Sequence, residues 1–216
     1  MTVWPINQRI FSAIVIVVLL FTAKVNLWAE EGESKLKFSL IPIFEPHYLF
    51  DMNSLDAKLS AYGFTPVNSN VLYTWGIKGS FYEDSGLLFG AKVTYGNQSS
   101  GGGQIPTNIS TTKMGYFMGG RIFDFMNASF EAGFGAMSFS VSSFSSGGAL
   151  VYLGPYLQPT ISFQIHQFRW FGEISLGYFA HFPIGPAHTN LLWEEPFNRP
   201  VLHGFVFSVG SGFKNE

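Results

Sequence analysis

Apolar and polar positions alternate with a period of two along most of the chain, from Lys35 to Phe213. This alternation is the sequence signal of a β-strand with two chemically different faces, because successive side chains of a strand point to opposite sides. In one such segment Ile174 and Leu176 share a face, and Glu173 lies on the other. We predict eight strands on this basis, at residues 35–50, 70–82, 87–95, 113–123, from 128 onward, and at 150–164, 170–182 and 201–213.

The connections between these segments alternate between short and long. A short connection follows the second, fourth and sixth segments, and a long connection follows the first, third, fifth and seventh. Barrels of the bacterial outer membrane have short turns on one rim and longer extracellular loops on the other, whereas a soluble sandwich has no reason to separate them so strictly. The short connections are 83–86, 124–127 and 166–169, and the long ones are 51–69, 96–112, 141–149 and 183–199.

One face of each predicted strand is bulky and apolar, and the other is small or polar. An eight-stranded barrel has an interior just wide enough for side chains, so the bulky faces must point outward, into lipid. Closure would also pair every backbone N–H and C=O group, as hydrocarbon requires. The fold class that follows is an all-β, closed, antiparallel up-and-down transmembrane barrel.

Charged residues on the inward face would each cost several kcal/mol if they were left unpaired. We therefore predict a network of ion pairs across the lumen. It can be interpreted either as a packed polar core or as the gate of a narrow channel. Its predicted members are Lys37, Glu45, Lys78, Lys92, Arg121, Glu131 and Glu173.

Four prolines conflict with a closed barrel, because proline removes a backbone donor from the sheet. Pro42 and Pro46 fall in the first strand, and Pro155 and Pro159 fall in the sixth. We predict that they mark bulges or strand segments that stand above the membrane rim.

The first long connection contains a helix signal. Ser54 is suited to the N-cap, Leu55, Leu59 and Tyr62 share one face, and Gly63 suits the C′ position. The helix is either a lid on the barrel mouth or a plain surface helix.

Two other long connections differ in character. Residues 98–103 are rich in Gly and Ser and are predicted to be mobile. The connection 183–199 contains Trp193, Glu194, Glu195 and Phe197, which indicates either a partner-binding loop or aromatic anchoring at the rim.

The composition agrees with a chain solvated partly by lipid. Charged residues make up 12% and aromatic residues 18% of the sequence, with 24 Gly and 24 Phe, whereas soluble domains carry about 25% charge. The absence of cysteine excludes disulfides, zinc–thiolate sites and a lipoprotein anchor. A net charge of −2 provides no basic surface, so no nucleic-acid partner is expected.

The first 29 residues have the pattern of an export signal. Arg9 precedes the apolar run 10–23, which is shorter than the ~20 residues needed for a transmembrane helix. Cleavage after Leu27-Trp28-Ala29 would leave residues 30–216 as a single barrel domain. An uncleaved helical anchor is the alternative.

The last predicted strand, Val-Leu-His-Gly-Phe-Val-Phe-Ser-Val-Gly-Ser-Gly-Phe at 201–213, alternates and ends on an aromatic residue. With the pattern over 35–213, it resembles the small outer-membrane β-barrel families, the OmpA, OmpX and OmpW-like group. The resemblance implies a place in the cell outer membrane, contact with outer-membrane lipid, and recognition of Phe213 by the barrel assembly machinery. Three residues, 214–216, follow Phe213, which departs from the family pattern.

The histidines do not form a catalytic or metal-binding motif in the sequence. They are scattered over separate segments, so neither a cofactor nor a metal is expected. We predict a non-enzymatic protein with a structural or surface-contact role, and the loops 51–69 and 183–199 as the place for an unknown surface ligand. The alternatives are a narrow, porin-like pore for small solutes and a membrane-embedded lipid-modifying enzyme. The histidines are His47, His166, His181, His188 and His203.

Overall fold

A computed structural model describes residues 37–50, 52–61, 65–100, 106–141, 148–167, 170–184 and 201–214. It contains the eight predicted strands and one helix. The predicted signal peptide lies outside the described residues. The elements are β1 (Lys37–Leu49), α1 (Met52–Ala61), β2 (Val71–Tyr82), β3 (Leu87–Ser99), β4 (Thr107–Phe123), β5 (Met126–Val141), β6 (Gly148–Gln167), β7 (Trp170–His181) and β8 (Leu202–Lys214).

The strands form a closed, all-antiparallel barrel, so the predicted topology is confirmed. Each strand pairs with the next one in the chain, and β8 pairs with β1. The connection after β2 is a tight turn in which Glu83 N donates to Leu87 O at 2.9 Å. Gly86 has a φ of 91°, in the left-handed region that favours glycine. Below, the rim with the short connections is called the turn end, and the rim with the long connections is called the loop end.

The outer surface of the barrel is apolar. Phe130, Leu176 and Phe207 are 50%, 55% and 44% exposed, and every strand carries bulky apolar side chains at outward positions. A water-soluble protein rarely exposes so large a continuous apolar surface. The predicted orientation, with the bulky faces outward, is therefore confirmed, and the surface is that of a barrel solvated by lipid.

The interior is more apolar than the sequence pattern indicated. The loop-end part of the lumen is filled by an apolar cluster, in which Met52, Leu55 and Leu59 of α1 pack with inward residues of the strands. This confirms the lid and excludes the plain surface helix. The helix begins at Met52, so Ser54 lies within it and the predicted N-cap at Ser54 is wrong; Tyr62 and Gly63 lie outside the described residues. The apolar cluster contains Leu49, Met52, Leu55, Leu59, Val67, Leu72, Ile109, Met137, Phe139, Tyr152, Tyr156, Phe179, Leu202 and Val206.

β3 and β4 are longer than predicted. Residues 96–99 and 107–112, which we expected in a loop, pair across the β3–β4 hairpin. Ser100 N donates to Thr107 O at 2.9 Å, and Thr107 N donates to Ser100 Oγ at 2.8 Å, so the hairpin stays ordered to its tip. The predicted mobile segment is thus wrong for residues 98 and 99, which belong to β3; residues 101–103 lie outside the described part of the chain.

The four strand prolines do not mark bulges. β1 pairs with β2, and β5 with β6, in continuous register through them. Among the described residues a register shift occurs instead between Arg121 and Phe123.

The backbone nitrogens of the four prolines point away from the continuous pairs and toward the β7–β8 hairpin. Those of β6 face β7, and those of β1 face β8. Pro155 O accepts from Phe182 N at 2.9 Å, so Pro155 is directed at β7, and Pro159, four residues on, has the same direction. In β1, Phe50 N donates to His203 O at 3.0 Å, which directs Pro42 and Pro46 toward β8. The β1–β8 pairs are interrupted at both of these prolines, and the β6–β7 pairs at Pro159. The β1–β8 and β6–β7 strand pairs, called here the proline-bearing seams, therefore each lack two backbone N–H donors.

Among the described residues, no helix has the length and apolar character needed to cross a bilayer.

Candidate functional site

Glu45 is the centre of a group of buried charges in the lumen. It lies on the inward face of β1 and is fully buried. Lys92 Nζ lies 3.0 Å from Glu45 Oε2, and Lys113 Nζ lies 2.9 Å from Glu45 Oε1. Both lysines occupy inward positions, on β3 and β4. One carboxylate therefore receives two ammonium groups in a region that water does not reach freely.

A second carboxylate balances the charge. Lys92 Nζ also lies 2.6 Å from Glu131 Oε2, on β5. The Tyr156 hydroxyl, on β6, donates to Glu131 Oε1. Charge-assisted hydrogen bonds of this kind are the strong ones in proteins. Two lysines and two glutamates thus form a neutral group, called here the central network, which also includes His47 and Tyr156.

His47 joins the central network through Nε2. This atom lies 2.9 Å from Lys113 Nζ and 3.3 Å from Glu45 Oε1. An ammonium group has only donors, so Nε2 accepts and the ring proton is assigned to Nδ1. The Lys113 ammonium also lies 4.9 Å from the centre of the Phe179 ring, a cation–π contact that helps to hold it.

A second buried pair lies nearer the turn end. Lys78 on β2 forms an ion pair with Glu173 on β7, across the lumen. Gln164 Nε2 donates to Glu173 Oε2 at 3.2 Å and to the Tyr82 hydroxyl at 2.6 Å. Lys78 Nζ lies 4.9 Å from the centre of the Phe117 ring. This group is called the turn-end network.

Glycines make room for the large side chains that cross the lumen. A Cβ on Gly115 would lie 2.3 Å from the Tyr156 hydroxyl oxygen, and a Cβ on Gly90 would lie 2.6 Å from the Phe117 ring. Any larger residue would displace these side chains. The two glycines therefore position Tyr156 against Glu131, and Phe117 beneath Lys78.

Five of the seven residues predicted for one lumen network lie in the lumen, but in two groups: Glu45, Lys92 and Glu131 belong to the central network, and Lys78 and Glu173 to the turn-end network. The other two, Lys37 and Arg121, lie at the turn end, and their predicted membership is corrected. Lys37 Nζ lies 3.7 Å from Asp84 Oδ1, and both side chains are substantially exposed. Arg121 is exposed beside the β4–β5 turn. Strand positions next to a rim can reach water, so alternation alone does not place them in the lumen.

The sequence pattern did not reveal three members of the central network: Lys113, His47 and Tyr156. A signal for Lys113 existed, because it shares its strand parity with the inward Gly115 and Gly119. Tyr156 lies on the same face as Gly154 and Gln158, so its position also indicated the lumen, but a bulky aromatic residue was expected outside.

The two networks and the apolar cluster fill the described part of the lumen. From the loop end to the turn end, the order along the barrel axis is the apolar cluster with α1, the central network and the turn-end network. A cavity of about 10 Å³ between them, lined in part by His47, Thr74 and Lys113, has space for one water molecule.

The described histidines lie at separate places in the barrel and do not form a cluster of metal ligands. Among the described residues no group of three or more His, Asp or Glu side chains could hold a metal ion. His181 Nε2 lies 3.3 Å from Gly135 O inside the barrel, and His203 Nδ1 lies 2.7 Å from the Tyr178 hydroxyl oxygen on the outer surface. His188 and the side chain of His166 lie outside the described part of the chain.

Solved structures with the same fold are small outer-membrane barrels. Two structures of Ail, the attachment invasion locus protein of Yersinia pestis, align with 83% of this chain and with 99% and 98% of their own chains. Their TM-scores are 0.58 and 0.52, at 9% and 10% sequence identity; the first is a complex with the heparin analogue sucrose octasulfate. The N-terminal β-barrel domain of Pseudomonas aeruginosa OprF aligns with 85% of the chain and 100% of its own at a TM-score of 0.45 and 9% identity. No protein-family model and no curated protein sequence matches the chain.

Proposed function

We propose that this chain is an integral protein of the cell outer membrane, with a filled, non-conducting barrel and a structural or surface-contact role. The observation that carries the proposal is the combination of an apolar outer surface with a lumen closed by α1 and the two charge networks. The apolar surface requires lipid around the barrel. The filled lumen leaves the loop end as the part that can act on the outside.

The other segments of the chain have roles in export, membrane insertion and surface contact. Residues 1–29 direct export, and the mature domain begins near residue 30. The barrel assembly machinery recognises the last strand and inserts the protein beside outer-membrane lipid. The loops 51–69 and 183–199 are the surfaces for an external ligand. In support, a barrel of the same fold, Ail, holds a sulfated sugar analogue in its structure.

Conductance in a planar lipid bilayer tests the filled lumen. The purified protein is first folded into lipid vesicles, and insertion is checked by the faster gel migration of the unheated sample. We expect insertion without discrete current steps. Reproducible steps from the inserted protein would instead support the narrow-pore alternative.

Mass spectrometry of lipid A tests the enzymatic alternative. Lipid A from cells that express the protein is compared with lipid A from cells that lack it. Identical acylation and headgroups are expected for a non-enzymatic barrel, and a protein-dependent change would contradict that part of the proposal.

A further inference from the structure

The outward face of β3, β4 and β5 changes character near the loop end. Toward the turn end these strands carry exposed apolar residues such as Leu87, Tyr116 and Phe134, which face lipid. Beyond Tyr95 and Met114 every outward side chain but Ala136 is an uncharged hydroxyl or carboxamide. This set, called here the hydroxyl–amide patch, contains Asn97, Ser99, Asn108, Ser110, Thr112, Ser138 and Ser140.

The patch residues stand side by side on adjacent strands. Ser110 pairs with Asn97 on β3 and with Ser138 on β5, and Asn108 pairs with Ser99 and Ser140. Directly opposed side chains in an antiparallel sheet have their Cβ atoms about 4.5–5.5 Å apart. The Ser99 hydroxyl donates to Asn108 Oδ1 at 2.7 Å. The patch is thus a regular array of donors and acceptors on a rigid sheet.

Not every part of the loop-end rim is polar in this way. On the opposite wall the outward residues near the loop end are aromatic, with Tyr48, Phe50, Tyr178 and Phe205 packed around one another. Phe50 lies 5.1 Å from Phe205 between ring centres. That wall suits the interface between acyl chains and headgroups. The hydroxyl–amide patch is therefore specific to one side of the barrel.

Position and chemistry together indicate what covers the patch. The patch continues the lipid-facing surface without a break, so it meets the headgroups of the same lipids that surround the barrel. Its described outward side chains include no Lys or Arg, so it offers no cation to a phosphate group. Hydroxyl and carboxamide groups are suited to hydrogen bonds with sugar hydroxyls, because both can donate and accept.

We propose that the hydroxyl–amide patch binds the neutral saccharide part of glycolipids in the outer leaflet. This inference rests on the proposed outer-membrane location. It differs from the proposed loop-mediated contacts because the ligand is a lipid of the same membrane, bound at the side of the barrel.

Competition between two glycolipids tests the inference. The full-length mature protein is folded into vesicles that contain equal amounts of lipopolysaccharide with a complete core saccharide and of lipid A without core sugars. Polymer-bounded discs are then cut around the protein, and mass spectrometry gives the ratio of the two lipids. We expect the core-bearing lipid to be enriched over the bulk ratio.

The variant N108A/S110A/T112A/S138A is expected to lower this enrichment by about fivefold or more, the factor that corresponds to one net hydrogen bond. The S110A/S138A variant keeps Asn108 and its bond to Ser99, and it serves if the larger variant folds poorly. Ser211→Ala is the matched control, because Ser211 also faces outward but lies near the turn end of β8. It should leave the ratio unchanged.

The outcomes separate the two proposals. Failure of the wild-type protein to insert would overturn the outer-membrane proposal itself. Insertion with an unchanged lipid ratio, or an enrichment that the variants do not reduce, would overturn the saccharide site alone.

Discussion

At the scale of single residues, the stability of this barrel depends on charges that no solvent screens. Glu45 receives both Lys92 and Lys113, and all three side chains are buried. Taking such charges out of water costs several kcal/mol per ion, and only their mutual pairing compensates for it. Removal of one charged partner should therefore lower the free energy of unfolding strongly, because it leaves another charge buried and unpaired. Replacement of the whole network by apolar residues should cost less.

Glu45→Gln tests this sensitivity. The substitution keeps the size of the side chain but leaves the network with one excess positive charge. We expect the free energy of unfolding in lipid vesicles, measured by urea titration, to fall by about 3–5 kcal/mol. Asp84→Asn is the control, because its ion pair with Lys37 is exposed and should contribute less than about 1 kcal/mol.

A charge-restoring double variant separates electrostatics from packing. Adding Lys113→Met to Glu45→Gln makes the network neutral again, so much of the lost stability should return. If the double variant were as unstable as the sum of the two single variants, the charges would not be coupled in the way the distances indicate.

At the scale of elements, α1 is held in the barrel mouth by an apolar face and by one carboxylate. Asp56 Oδ1 accepts from Val67 N at 2.7 Å and Oδ2 accepts from Asn68 N at 3.2 Å, which ties the helix to the segment before β2. Leu55 and Leu59 are fully buried beneath it. A charge on that face would have to leave the lumen or remain unpaired there.

Leu59→Lys is expected to displace α1 without unfolding the barrel. The chain has no cysteine, so Met137→Cys, in the apolar cluster below the helix, gives a single reporter for a water-soluble thiol reagent. The labelling rate should rise at least about tenfold, the factor for 1.4 kcal/mol of opening. Ser60→Lys, on the exposed side of the same helix, should leave the rate unchanged.

The proline-bearing seams give a prediction about β1. Pro42→Val and Pro46→Val each restore an N–H group directed at β8, and each should stabilise the barrel by about 1 kcal/mol in urea titration. Pro66→Val, outside the strands, controls for the effect of proline on the unfolded chain. Slower hydrogen exchange of β8 amides is the second expected sign. Unchanged stability would mean that β8 does not use the restored donors.

Strand pairing and the outward faces could be predicted from the sequence because lipid accepts only apolar side chains over the whole belt. The same rule fails where lipid ends. β3 and β4 were predicted too short because outward residues such as Asn97 and Ser110 lie beyond the apolar belt, so apolar and polar positions no longer alternate there. Tyr156 and Phe139 were missed because an apolar plug inside the barrel and lipid outside it both favour apolar residues. Alternation predicts whether a side chain points into or out of the barrel. Which residues then form an ion pair depends on the tilt and register of the strands.

At the scale of the whole molecule, the two rims of the barrel differ, and this difference predicts its orientation in the membrane. The first strand starts and the last strand ends at the turn end, beside the tight turn at residues 83–86. α1 and the other long connections lie at the opposite rim. Long connections that have crossed the membrane during assembly stay outside, so the loop end should face the exterior, and the start of β1 and the end of β8 should face the periplasm.

Single cysteines at the two rims test this orientation in intact cells. Ser54→Cys lies on the exposed side of α1, and Ser85→Cys lies in the exposed β2–β3 turn. A membrane-impermeant maleimide should label Ser54→Cys in intact cells and Ser85→Cys only after the outer membrane is permeabilised. Equal labelling of both after permeabilisation is the control for reactivity. Labelling of Ser85→Cys alone in intact cells would reverse the orientation, and it would place the hydroxyl–amide patch in the inner leaflet, where a saccharide ligand of the outer leaflet could not reach it.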